Sequence, residues 1–149
     1  MTIKQVLYDF CQFSIQNRID NIQENIRSLQ ESLTSETKSS AGDKHETGRA
    51  MIQLEREKLG NQLQVAERTK QVLDKLVFKV RPVKIVTGTL VYTTKANYFL
   101  SVSLGEFRKN EFRAYCISPQ TPMGVLLLGR SSGEVIDFNG ESIKILKLE

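Results

Sequence analysis

Through the first half of the chain, Ile15, Ile19, Ile22, Ile26, Leu29 and Leu33 recur at alternating steps of four and three residues. That spacing draws a narrow apolar stripe down one side of a helix, the a/d seam of a coiled coil. A second stripe follows, with Ile52, Leu59, Ala66 and Leu73 at heptad intervals, Leu63 four after Leu59, and Leu76 three after Leu73. The remaining positions of this second helix are rich in Glu, Arg, Lys and Gln and predict a solvated face. Between the stripes, residues 34–48 are polar and carry no apolar period, which predicts a turn between two antiparallel helices. A first helix of about 35 residues rises about 50 Å. A domain core does not need that length, and such a rod reaches for a partner or dimerises. Upstream of the seam, Ile3, Val6, Leu7, Phe10, Cys11 and Phe13 are too dense for a two-helix interface. This end is expected to pack on something more, either the C-terminal region or another subunit.

The pattern changes near Arg81 and Pro82. All three prolines, Pro82, Pro119 and Pro122, and six of the nine glycines lie beyond residue 81, where β-branched alternation also begins. Segments 83–92 and 98–104 predict a hairpin, with Leu100, Val102 and Leu104 alternating against Ser101 and Ser103. A third strand is expected over 114–117. Thr121 and Pro122 offer an N-cap followed by proline in the first helical turn, residues 123–128 make a short apolar helix, and Gly129 suits its end. Segments 134–138 and 141–148 are joined by Asn139-Gly140, a strong two-residue hairpin signal. The expected class is α+β: residues 1–80 as a long antiparallel coiled-coil hairpin with its tip near 40–48, and 81–149 as a small antiparallel β domain with one short helix.

Composition narrows this picture without redirecting it. With 149 residues, 40% of them hydrophobic and 26% charged, the chain has the make-up of a folded protein with a modest core. Lys4, Gln5, Asp9 and Gln12 interrupt the first residues, so neither a signal peptide nor a membrane span is expected, and the cytoplasm is the expected location. Cys11 and Cys116 match no metal or redox spacing and are expected as buried free thiols. The net charge of +4 divides as 12 Lys/Arg against 11 Asp/Glu over residues 1–80, and 9 against 6 beyond. That leans toward an acidic partner without showing nucleic-acid binding.

Candidate chemistry gathers at the tip. Asp43 and Glu46, three residues apart at a helix start, face one way and can hold a divalent cation or orient a water beside one. The same pair also reads as a capping box, Asp43 accepting the first helical N–H groups and Glu46 reaching back. The two roles are compatible. Gly48 in the following turn allows for a later helix start. His45 beside them reads as a solvated histidine, and Lys38, Lys44 and Arg49 as surface cations that could meet RNA phosphate. Arg108, Lys109 and Arg113 form a denser basic group. Phe107, Phe112 and Tyr115 read as packing residues, because no RNA-binding aromatic motif surrounds them.

Ile117-Ser-Pro-Gln-Thr-Pro-Met-Gly124, Leu126-Leu-Leu-Gly129, Gly133-Glu-Val135 and Phe138-Asn-Gly140 resemble the C-terminal signature of the bacterial Gre transcript-cleavage and elongation factor family. The order and lengths of the two halves agree with that family, so the resemblance covers essentially the whole chain. It implies an N-terminal coiled-coil hairpin joined to an FKBP-like domain, and RNA polymerase as the partner. The hairpin would enter the secondary channel, where tip carboxylates help the polymerase cleave backtracked RNA. The family tip is approximately Gly-Asp-x-x-Glu-Asn-Ala-Glu-Tyr. Gly42, Asp43 and Glu46 match it, whereas Thr47, Arg49 and Ala50 stand at the asparagine, later glutamate and tyrosine positions. The resemblance assigns Asp43 and Glu46 an assisting role at a second Mg²⁺ of the polymerase, with no cofactor of the chain's own and no stand-alone enzyme activity. It places Thr121, Pro122 and Met123 near the surface that docks on the polymerase, and allows a contact with nascent RNA. A factor that occupies the channel without stimulating cleavage is also known in the wider family. The competing reading is a coiled-coil adaptor or chaperone-like protein with no role at the polymerase active site. An isomerase ranks below both, since a fold does not bring an activity with it.

Overall fold

The computed structural model describes residues 1–38 and 43–149, without the side chains of 36–46. The chain divides into two compact units, residues 15–70 and residues 1–14 together with 71–149. Two long helices come first, α1 (Ile3–Lys38) and α2 (Asp43–Asp74), followed by six strands and one short helix. The fold class is α+β.

In the unit of residues 15–70, the apolar stripes become the interface. Ile15, Ile19, Ile22 and Ile26 of α1 are buried, as are Leu59 and Ala66 of α2. Toward the tip the seam loosens, and Leu29, Leu33, Ile52 and Leu63 are only half-buried. Asn25, Ser28, Leu29 and Ser32 share a shallow depression with Glu55 and Leu59. The last turns of α1 therefore lie beside the first half of α2, and the two run antiparallel. Helix α2 already begins at Asp43, so Gly48 is interior to it. At 36 residues α1 is about 54 Å long.

The other unit is built on a sheet of order β3-β4-β2-β1-β6-β5. Its strands are β1 (Leu90–Thr93), β2 (Asn97–Leu100), β3 (Gly105–Lys109), β4 (Phe112–Ile117), β5 (Val135–Phe138) and β6 (Glu141–Leu148). Every neighbouring pair is antiparallel except β2 and β4, which run parallel with Tyr98 opposite Tyr115. The β5–β6 turn is Asn139-Gly140, with φ of 52° and 79°. Both residues occupy the left-handed region that a type I′ turn requires.

Two sequence expectations shift here. The first strand of the predicted hairpin starts only at Leu90, and the segment before it makes a single bridge, Lys84 to Ser131. The reason is a turn at Gly88, where Thr89 N–H donates to Val86 and φ is 101°, outside any strand conformation. The sheet is also not wholly antiparallel, because β3 forms a hairpin with β4 that brings β4 back alongside β2 in the same direction.

Strand alternation gives the sheet two apolar faces. On one face, Val91, Leu100, Ile143 and Ile145 form a core with Met123 and Leu127 of the short helix α3 (Pro122–Leu127). On the other, Phe99, Ala114 and Cys116 are buried beneath the first turns of α1. There Phe10 packs edge-on to Phe107 at 5.2 Å and Cys11 meets Cys116, while Tyr8 stacks on Phe78 at 4.3 Å. Packing on the sheet thus accounts for Leu7, Phe10 and Cys11 of the dense apolar start of α1, whereas Phe13 is left exposed. Each large apolar side chain fully buried this way contributes about 1.5–3 kcal/mol. Lys4 is buried too, its Nζ donating to the Val80 carbonyl at 3.2 Å, and burial lowers its pKa.

Candidate functional site

Asp43 is the first residue of α2 and Glu46 lies in the same turn. The side chains of both, with those of Lys38, Lys44 and His45, lie outside the described residues. Thr47, Arg49 and Ala50, where the tip departs from the family pattern, all stand exposed on α2. Among the described residues, no group of three or more His, Cys, Asp or Glu could hold a metal ion. None of the described helices is long and apolar enough to cross a membrane.

The second predicted group, Thr121, Pro122 and Met123, starts α3. Thr121 is extended at φ −68° and ψ 156°, and its Oγ1 accepts from the Gly124 N–H at 3.1 Å while donating to the Ser118 carbonyl at 2.7 Å. That is the N-cap its sequence position predicts. Pro122 fills the first turn, where a missing N–H costs nothing. Gly124 is there for space: a Cβ at this position would come within 2.2 Å of the Ser118 oxygen. The helix closes through the Leu128 N–H on the Gly124 carbonyl, and Gly129 follows at φ 83°. Its end is tied down by Gly129 N–H to the Ile85 carbonyl and Ile85 N–H to the Arg130 carbonyl, both at 2.8 Å. The three residues have unlike surroundings. Pro122 is exposed, Thr121 is half-buried, and Met123 is buried in the core. Val125 and Leu128 extend the exposed apolar surface of this helix.

A third group forms a pocket of about 430 Å³ on the sheet, lined by Lys95, Ala96, Tyr98, Arg113, Tyr115 and Ile117. The parallel register of β2 and β4 brings the two tyrosine rings to 6.0 Å at 31°. Tyr98 is buried, which raises its pKa, whereas Tyr115 is 38% exposed. Lys95 Nζ pairs with Glu141 Oε2 at 2.7 Å, which raises the lysine pKa, and lies 5.9 Å over the Phe138 ring. Asn97 fixes the rim by donating from Nδ2 to the Arg113 carbonyl at 2.9 Å. The Arg113 guanidinium approaches Glu106 only to 3.7 Å, longer than a hydrogen bond, and Glu106 accepts from Arg108 at 3.2 Å.

No family model and no curated protein matches the chain. Among solved structures, it is similar to the crystal structure of Thermus aquaticus Gfh1, at 16% identity over 90% of each chain with a TM-score of 0.33. Those values do not show membership of a family.

The structure thus brings Thr121 and Pro122 together at the start of one helix, with Met123 turned into the core behind them. Asp43 and Glu46 belong to the other unit. The tyrosine pocket is the part that sequence reasoning missed. Its one legible trace was Arg113 two residues before Tyr115, a spacing that puts both on one face of β4, whereas the pairing that sets them beside Tyr98 is announced by no local pattern.

Proposed function

We propose that this chain is a transcription elongation factor that binds RNA polymerase. Its helical hairpin enters the secondary channel, and its β-rich unit docks on the enzyme around Thr121 and Pro122. The observation that carries the reading is where the family-like motifs fall. They form the Thr121 cap, the Gly129 end of α3 and the Asn139-Gly140 turn, in a chain that also joins helices of 36 and 32 residues to a β-rich unit. Helices of that length provide reach, and the capped, tethered α3 provides a rigid docking element.

In this reading Asp43 and Glu46 supply carboxylate oxygens, hard ligands suited to Mg²⁺, to the polymerase's own metal site. The chain holds no cofactor of its own and is not an enzyme alone. Thr47, Arg49 and Ala50, which stand where the family pattern has asparagine, glutamate and tyrosine, favour a factor that modulates cleavage over one that stimulates it. The test is binding of the full chain to core RNA polymerase, followed by transcript cleavage in backtracked elongation complexes. Binding with altered cleavage supports the reading, and absence of binding overturns it.

A second reading draws on Leu54, Val65 and Val72, large apolar residues left exposed on α2 at spacings that keep them near one stripe. A coiled-coil adaptor would use such a stripe to pair with other chains. It would self-associate or capture another helix, and would ignore the polymerase.

A further inference from the structure

We infer that the pocket between Lys95, Tyr98, Arg113 and Tyr115 is a binding site for a nucleotide unit of a single strand, with the base lying on Tyr115 and the phosphate held between Arg113 and Lys95. The inference is independent of the polymerase reading, since it needs only the β2–β4 face of one unit.

The first argument is the ring pair. Tyr98 is held in the core and Tyr115 leans against it at 6.0 Å, so the exposed Tyr115 ring is backed by a buried neighbour. An aromatic ring prevented from collapsing onto its own surface offers a stacking platform, and every base has a π-face to match it. The second argument is charge at the rim. Arg113 stands two residues before Tyr115 on the same face of β4, and its long 3.7 Å approach to Glu106 leaves it weakly committed. Lys95 is the more firmly paired, to Glu141, and needs that partner to yield or share. An aromatic floor beneath two cations is the arrangement single-strand binders use, a stacked base with its phosphate on lysine and arginine. The third argument is size. About 430 Å³ lies toward the small end of ligand pockets, enough for one nucleotide and not for a folded element. An apolar peptide has no use for the two cations, and an acidic peptide has none for the ring.

The experiment uses the full chain and three probes: fluorescein-labelled r(A)4, the matching d(A)4, and AMP. Binding is followed by anisotropy for the oligomers and by backbone amide shifts for all three. Saturable binding is expected, with shifts centred on residues 95–98 and 113–117. Tyr115→Ala should weaken the oligomers about tenfold or more, measured below the melting temperature of the variant because the ring also packs on Tyr98, and Tyr115→Phe should keep the affinity. Arg113→Gln should weaken binding and lower the slope of log affinity against log salt by about one. Binding of either oligomer that Tyr115→Ala weakens supports the site, and the tighter one names the sugar, whereas binding of AMP without either oligomer overturns the single-strand assignment. Three results would each overturn the inference: no binding of any probe at millimolar concentration, binding indifferent to Tyr115→Ala, or equal competition by a glutamate-rich peptide.

Discussion

The thiol of Cys11, in the first turns of α1, faces the thiol of Cys116, in β4, and both side chains are closed off from solvent. The contact, together with burial, pushes the Cys116 pKa up and keeps it a thiol. Cys11 is pulled the other way by its neighbours Cys116 and then Ser101, against its own burial. Because the thiolate is the nucleophile and water is excluded, neither cysteine should react while the protein is folded. Labelling with a thiol reagent through a urea titration should therefore follow the unfolding of the β-rich unit for both residues. Native-state labelling of Cys11 at the rate of a free peptide thiol would show that the start of α1 does not stay packed on the sheet.

Gly124, in the first turn of α3, and Gly129, just past its end, are glycines for different reasons, and alanine separates them. At Gly124 the added methyl would stand 2.2 Å from the Ser118 oxygen and 2.9 Å from Thr121 Oγ1, so the capping turn must move. A loss of about 2–3 kcal/mol is expected. At Gly129 nothing lies within 4 Å of the new methyl, and only the backbone angle of 83° opposes it. About 1 kcal/mol is expected there. Urea midpoints of the two variants measure the difference, and equal losses would contradict the close approach at Gly124.

These elements also show what a sequence can announce. The helical seam was legible because Ile15, Ile19, Ile22 and Ile26 repeat at the period of the structure they form. The Thr121 cap and the Asn139-Gly140 turn were legible because each states a local backbone requirement. Strand β3 was not, because Gly105-Glu-Phe-Arg-Lys offers one apolar side chain, Phe107, and an edge strand with a single buried residue has no alternation to read. The parallel pairing of β2 with β4 and the meeting of Cys11 with Cys116 join distant parts of the chain, and neither leaves a local period. The β-branched residues of 83–86 misled in the other direction, since composition favoured a strand that the turn at Gly88 prevents. The tip site was legible only as Asp43 and Glu46 in a family-like order.

Tyr92 donates its hydroxyl hydrogen bond to Glu149 Oε2 at 3.1 Å. Burial first, and then this carboxylate, raise the phenol from 10.0 to about 12. A raised pKa favours the neutral form in the folded state, so its stabilising contribution is complete below pH 10 and is lost as pH rises from 10 toward 12. Phenolate absorbance should show a component titrating near 12 that Tyr92→Phe removes, and the variant should lose less stability above pH 10. Titration of every tyrosine near 10 in the native protein would contradict the burial of Tyr92 together with its Glu149 contact.

Ile22 sits in the middle of the α1 stripe and is buried there. Aspartate at this position puts an unpaired charge into an apolar interface, with an expected cost of about 3 kcal/mol or more. The helical signal of the hairpin should melt earlier, while amide exchange of Leu100, Ile143 and Ile145 in the other unit should keep its protection. If helicity and melting are unchanged, the heptad seam is not what holds the two helices.

At the tip, capping and metal chemistry are separated by the double variant Asp43→Asn, Glu46→Gln. Asparagine caps a helix about as well as aspartate, and glutamine still completes a capping box, so the capping role alone expects a change of a few tenths of a kcal/mol. Neither amide carries the negative charge that makes a carboxylate a good Mg²⁺ ligand. If the tip acts at the polymerase's metal site, the variant should keep its melting temperature and its affinity for core polymerase and yet lose its effect on backtracked complexes. The assay should run at saturating factor, so that a small change in binding cannot pass for a change in chemistry. Unaltered transcript cleavage by the double variant would remove Asp43 and Glu46 from the mechanism. If the unmodified protein binds the polymerase without stimulating cleavage, Thr47, Arg49 and Ala50 become the residues to exchange. Restoring asparagine, glutamate and tyrosine there should then confer cleavage on a chain whose hairpin already reaches the channel.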